Sequence, residues 1–299
     1  MKNNWSSRSI IFLGGRDSII KDHSLRNQEY NDIRKLNNDF DKIKCELEKY
    51  LTSELDNFDL QSFDFKNISE SFNLFDFTSK GVEKFQDDYF SKIDDETKKT
   101  EFEKKKEYLN RDNYLYCNTN IYPENTLFLS FNYTNFGVKL IECIQNNTWR
   151  LDDWAKSMKQ AIYIHGELNN PKNPIIFGYG DENDEIHSAI EKNGGDYLTN
   201  IKTINYLKTN NYKNLLNFLE SGLYQVFIIG HSCGLSDKTL LKTMFEHENC
   251  ISIKPFYYVN SEGHNNYDDI VKNIYRTFSD KALMRDKVVN QRFCSEICV

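Results

Sequence analysis

An α/β fold built on a parallel sheet is predicted by three features of this chain. Four short apolar runs stop at small or polar residues: 10–13 before Gly14-Gly15, 127–129 before Ser130-Phe131-Asn132, 162–164 before His165-Gly166, and 226–229 before Gly230-His231-Ser232. Each run is rich in branched or aromatic residues, the composition of strands buried on both faces. The stretches between them carry helical spacing, and strands alternating with helices give a parallel sheet with helices on its faces. In such sheets ligands bind beyond the carboxyl ends of the strands, so polar residues far apart in sequence converge on one cleft.

Taken in order, 10–13 is the first strand, and Gly14-Gly15 a tight turn into a helix or loop from Ser18. From 31 the chain becomes charged and aromatic. Ile33, Leu36, Phe40, Ile43, Leu47 and Leu51 recur three and four apart, which predicts a helix with one buried face. We read 31–125 as a mainly helical insertion after the first strand; an independent helical domain or a lid is the alternative. Residues 1–30 and 126–280 then make up one α/β core, and 281–299 a tail without a clear pattern. After Pro123 the chain returns to the sheet with a strand at 127–129, a helix from 137 to 145 and a strand at 162–164. Residues 175–177 lead into Gly178-Tyr179-Gly180-Asp181. A helical stretch over 186–220 is interrupted at Gly194-Gly195, and the strongest strand is 226–229. A helix over 236–246 takes Ser236 or Asp237 as its cap. A last strand at 251–259 and an amphipathic helix at 267–278 complete the order.

At 299 residues, with 39% hydrophobic and 14% aromatic content, the chain can bury a sizeable core. A net charge of −7 and a pI near 5.5 argue against a large non-specific nucleic-acid surface. No apolar run reaches signal-peptide or membrane-span length, so a cytoplasmic protein without membrane contact is expected. The seven cysteines are odd in number and lack close pairs of zinc type, which predicts reduced structural thiols and no metal site.

The strand-end motifs carry the chemistry. Gly14-Gly15-Arg16-Asp17 is half of a nucleotide-binding turn or a plain tight turn; the full Gly-x-Gly-x-x-Gly spacing is missing. Asn132 offers a carboxamide that holds a sugar hydroxyl or orients a water, unless it, Thr134 or Asn135 serves to cap the next helix. His165 offers an imidazole able to take a proton near neutral pH, or a structural histidine, and Gly166 leaves room for a ligand at its backbone. Gly230-His231-Ser232-Cys233-Gly234 matches the Gly-x-Ser-x-Gly elbow of serine hydrolases. Only Asp237 and His264 follow it in the order that such a triad needs. The competing reading makes this turn a second nucleotide cradle.

Together these motifs resemble the AbiH family of bacterial abortive-infection proteins. The similar features are Phe131-Asn132-Tyr133-Thr134, His165-Gly166, Phe177-Gly178-Tyr179-Gly180-Asp181, and Gly230-His231-Ser232 with Gly234, Ser236 and Asp237 behind it. Gly14-Gly15-Arg16-Asp17 departs from the family's usual Asn-Gly-Phe-Asp run. The order also resembles the wider sirtuin-like group, which implies a Rossmann-like sheet and NAD chemistry. That resemblance implies Asn132 and His165 as catalytic residues. It implies Gly14, Gly15, Asp17, Thr134, Gly166, Gly230, His231, Ser232 and Asp237 as the dinucleotide-binding set. The absence of a four-Cys zinc module, and Thr134 where the deacylases carry Asp, argue against a protein deacylase.

The resulting expectation is an antiviral NAD glycohydrolase that cleaves the nicotinamide–ribose bond, with NAD as substrate and no cofactor required. A serine hydrolase using Ser232 and a non-catalytic nucleotide-binding sensor are the alternatives. The implied partners are a dinucleotide or other nucleotide and a phage-derived trigger or second defence protein, with a homo-oligomer left open.

Overall fold

The computed structural model describes residues 8–13, 33–54, 76–91, 125–146, 158–178 and 195–297, with positions 96, 100 and 191. Among the described residues five strands run parallel in one sheet: β1 (Arg8–Leu13), β2 (Asn125–Ser130), β3 (Met158–Tyr163), β4 (Tyr224–Ile229) and β5 (Cys250–Pro255). Their order across the sheet is β3-β2-β1-β4-β5. The chain steps outward from β1 through β2 to β3, then returns to the other side of β1 for β4 and β5. The order therefore reverses between β1 and β4, the kind of position at which ligands bind in open α/β sheets. Leu13, Ser130, Tyr163 and Ile229 lie at one level of the register, so the residues after these strands emerge along one edge.

The described helices are α1 (Ile33–Glu54), α2 (Ser79–Ser91), α3 (Phe136–Asn146), α4 (Lys202–Asn205), α5 (Asn211–Glu220), α6 (Lys238–Phe245), α7 (Tyr267–Thr277) and α8 (Lys281–Lys287). None of them is long and apolar enough to cross a membrane. Leu127 and Leu129 of β2 join Val226, Ile228 and Ile253 in a core shared with Leu240, Leu241, Met244, Phe245, Ile270 and Ile274. Each fully buried aliphatic side chain contributes about 1.5–3 kcal/mol. Successive strand residues alternate between faces. Gln225, Ser252 and Lys254 therefore point away from that core, with Gln225 in register with Ser252 and Phe227 with Lys254. Asp76, just before α2, closes over them, with its carboxylate 3.1 Å from Gln225 Nε2 and 3.4 Å from Lys254 Nζ.

Several elements differ from the sequence expectation. α1 forms where its spacing predicts, yet none of its 22 residues is buried. It rests against loops, with Phe40 stacked on Phe177 at 5.3 Å and Arg34 and Asn37 bonded to Asp196. β3 starts at Met158 and stops at Tyr163, which moves Ile164 and His165 into the following turn. Among the described residues of 186–220 there is no continuous helix but a 3₁₀ turn at Gly195–Leu198, α4, a 3₁₀ turn at Tyr206–Lys208, and α5. β5 ends at Pro255, one residue before Phe256 N–H makes its bond to Ile228 O near the end of β4. The tail has more order than its sequence suggests. The Asp280 carboxylate caps α8 by accepting the Ala282 and Leu283 N–H groups, and Val289 N–H continues to Ile253 O on β5. Gly14, Gly15, Asp17, the segment from Ser18 and most of 178–181 lie outside the described residues.

Candidate active site

The turn after β3 is tightly determined. Gly166 N–H donates to Tyr163 O, and Ile176 N–H to His165 O at 2.7 Å. The carboxamides of Asn173 and Asn211 also donate to Tyr163 O. Gly166 has φ +90°, and a Cβ there would stand 2.2 Å from Pro174 O, so the position accepts only glycine. His165 is thereby held at the carboxyl edge of the sheet, with 4% of its surface exposed.

On the neighbouring strand end, Ser130 Oγ accepts the Asn132 N–H and donates to Asn132 O, both at 3.2 Å. Asn132 is half-buried, and its carboxamide bonds to none of the described residues. The first N–H groups of α3 go to Asn135 O and Tyr163 Oη, so neither the Asn132 nor the Thr134 side chain caps that helix. Thr134 sits half-buried just ahead of it. The Phe131 ring lies between two imidazoles, edge-on to His165 at 5.2 Å and tilted against His231 at 4.1 Å.

The turn after β4 supplies His231. Gly230 takes φ +67° and Cys233 φ +55°, and the Cys233 N–H donates to His231 Nδ1 at 3.0 Å. In a hydrolase elbow the strained residue is the nucleophile itself. Here the left-handed residue is Cys233, 1% exposed, and burial pushes its thiol pKa up, away from a reactive thiolate. Ser232 is half-buried, and its carbonyl accepts from Asn273 Nδ2 at 2.8 Å. His264 stands exposed beside Glu262, while Asp237 is turned to other partners, so the two members of the expected triad are engaged separately.

Those partners define the site. Asp237 ends the 3₁₀ turn Leu235–Asp237 and occupies the N-cap position of α6, but neither it nor the turn makes a side-chain cap bond. Its carboxylate instead turns to the sheet edge. Oδ1 lies 2.8 Å from Lys202 Nζ and 3.1 Å from His165 Nε2, and Oδ2 lies 3.6 Å from His231 Nε2 and accepts from Ser236 Oγ at 3.2 Å. His165 Nε2 is also 3.2 Å from the Tyr206 hydroxyl, and the two rings are parallel. His165, His231, Asp237, Lys202 and Tyr206 are all buried.

Burial alone would push the Asp237 carboxyl pKa up; the hydrogen bonds from His165 and His231 and the charge of Lys202 overcome it and hold the acid well below the usual carboxylate range. Burial, aided by Lys202, pushes the His165 pKa down, against the opposing pull of Asp237. The cluster therefore holds an Asp⁻–Lys⁺ pair beside a neutral His165. Facing a carboxylate, His165 carries its proton on Nε2, which leaves Nδ1 as the basic nitrogen. His231 accepts at Nδ1, so its Nε2 bears the proton and has no lone pair for a metal. Among the described residues no group of three or more His, Cys, Asp or Glu is arranged to hold a metal ion.

His165, His231 and Asp237 thus meet directly. Asn132 stands next to Phe131 at the adjacent strand end, Gly166 shapes the His165 turn, and Gly230 and Ser232 flank the reversal point beside β1. Lys202 and Tyr206 escape the sequence reading altogether. They lie in a polar stretch of short turns with no apolar run to mark it.

The family model for bacteriophage abortive infection AbiH matches residues 20–258, a span that includes every described residue of this cluster. Neither a curated protein nor a solved structure matches the chain. A match over most of the sequence, on residues that converge at one sheet edge, assigns this chain to the AbiH family of bacteriophage abortive-infection proteins.

Proposed function

We propose that this abortive-infection protein binds NAD⁺ across the carboxyl edge of its sheet and hydrolyses the nicotinamide–ribose bond. The observation that carries the reading is the buried His165–Asp237 pair, assembled from the turns that follow β3 and β4. The strand order supports it: β3-β2-β1-β4-β5 is the order of Rossmann-like dinucleotide-binding sheets, with the crevice at the reversal between β1 and β4.

In this reading the C1′–N bond breaks with its electron pair leaving on nicotinamide. The pyridinium becomes a neutral leaving group and needs no general acid. Positive charge develops at C1′ as in glycoside hydrolysis. Asn132 orients the attacking water, and His165 Nδ1 accepts its proton, giving ADP-ribose, nicotinamide and a proton. Asp237 holds the imidazole in the tautomer that leaves Nδ1 free. His231, Ser232 and Gly230 cradle the dinucleotide, with Thr134 and Gly166 at its ribose end.

The test is incubation of the purified chain with NAD⁺, alone and with lysate from phage-infected cells, following nicotinamide by chromatography. Release that requires His165 is the expected result. No release in either condition, with NAD⁺ still bound, would favour a nucleotide-binding sensor.

A further inference from the structure

Residues 195–208 bury polar groups while exposing apolar ones. Lys202 and Asn205 point inward beside Ile201 and Tyr206, each no more than 8% exposed, while Ile204 and Leu207 point outward at 43% and 74%. Burial of apolar surface drives the opposite arrangement. The segment is a chain of short turns: Gly195–Leu198, the four residues of α4, and Tyr206–Lys208. Its inner contacts mix apolar and polar: Tyr206 joins the main core and stacks on Tyr212 at 5.7 Å, and the rest are polar. Lys202 is pinned to Asp237, Tyr206 meets His165, and Asn205 spends its amide on carbonyls of the same segment. Asn205 Oδ1 is buried with no hydrogen-bond partner among the described residues. An ammonium and a carboxamide have been taken out of water, and one acceptor remains unsatisfied.

We propose that residues 195–208 are a lid, closed here over the His165–Asp237 pair and pinned by Lys202, which lifts to admit the ligand. Closed, it seals the imidazole that must meet substrate. Lifted, it returns Lys202 and Asn205 to water and uncovers Ile201 and Tyr206, while Ile204 and Leu207 are solvated in either state. The lid stands on this geometry; its role in gating hydrolysis rests on the reading given under Proposed function.

The experiment uses the full chain, with diethyl pyrocarbonate as a probe of neutral imidazoles, peptide mapping of the modified histidines, and hydrogen exchange. His264, with its side chain 79% exposed, is the internal reference. In the wild type, His165 is expected to react at least about tenfold more slowly than His264, through an opening that leaves α6 protected. Lys202→Met should raise the His165 rate at least about tenfold, through an opening that still occurs at lower free energy than the opening of α6, and Lys202→Arg, which keeps the cation, should restore protection.

An unchanged His165 rate in Lys202→Met, or a His165 rate no faster than the opening of α6, would overturn the lid. If Lys202→Met does not fold, the wild type decides: amides of 195–208 opening at lower free energy than α6 support the lid, and a shared opening refutes it. Nicotinamide release is a separate readout. A reactive His165 without nicotinamide release keeps the lid and discards the hydrolysis.

Discussion

Among the described residues are two buried Lys–Asp pairs, and they differ in what surrounds them. Lys202 and Asp237 meet at 2.8 Å beyond the strand ends, where two imidazoles and Ser236 complete the carboxylate's partners. Lys254 and Asp76 meet at 3.4 Å on the sheet face, where Gln225 Oε1 and Ser252 Oγ are left without hydrogen-bond partners among the described residues. A strand face offers side chains at fixed spacing, so whatever lies on it must make do with the partners in register. A strand end releases the chain into a turn, and turns from several strands can aim at one point. The first pair therefore gathers several turns at the strand ends, and the second fastens the segment before α2 to β4 and β5.

The largest expected contrast is in activity. His165→Ala and Asp237→Asn should each lower nicotinamide release by about 10²–10⁴-fold, the range for loss of a general base. Asp76→Asn should leave the release per folded molecule unchanged. Equal losses from both acids would erase the distinction between the pairs.

Stability should treat the pairs alike. Removing one partner leaves a buried charge uncompensated, which costs about 3–5 kcal/mol, whereas replacing both with apolar residues is often neutral or stabilising. Denaturant unfolding should show Asp76→Leu and Asp237→Leu each strongly destabilised. Asp76→Leu with Lys254→Met, and Asp237→Leu with Lys202→Met, should return towards wild type. Only the second double variant should then be inactive. Recovery of activity there would show that the carboxylate merely fills space.

How much of this was legible in the sequence follows the same division. Strand ends announce themselves, because an apolar run such as 226–229 halts at Gly230-His231. Their convergence follows from parallel strands, so His165 and His231 were readable as neighbours along one sheet edge. What sequence hides is a polar side chain buried in an ordinary-looking stretch. β3 was placed too late because Lys159 and Gln160 interrupt it, half-buried and exposed on a strand at the sheet's edge. In β5, Ser252 and Lys254 alternate with Ile251 and Ile253, the pattern of a strand with one wet face, yet both faces are buried. Asp237 was readable as a cap; its carboxylate went to the histidines because a buried Lys202 and two imidazoles outcompete backbone N–H groups.

A smaller effect should appear with pH. The folded pKa of His165 lies below its ordinary 6.5, so the stability from burying it neutral is present above about pH 6.5. It is lost as pH falls through the folded value, because the unfolded chain binds the proton first. Asp237, held below its ordinary 3.8, contributes above about pH 4 and loses that contribution only in stronger acid. Denaturation midpoints should therefore decline from pH 7 to pH 5, and less so in His165→Leu. The smallest effect belongs to Leu207→Ser on the outer surface of 195–208, expected within about 0.5 kcal/mol of wild type. A large loss there would mean that this face is covered.

The central claim is that the residues gathered at the carboxyl edge act on NAD during infection. Its most direct measurement follows cellular NAD after phage infection in cells carrying wild type, His165→Ala or Asn132→Ala at equal protein levels. The account predicts that NAD falls and the population is protected only with the wild type. Protection by both variants, with NAD constant throughout infection, would contradict it.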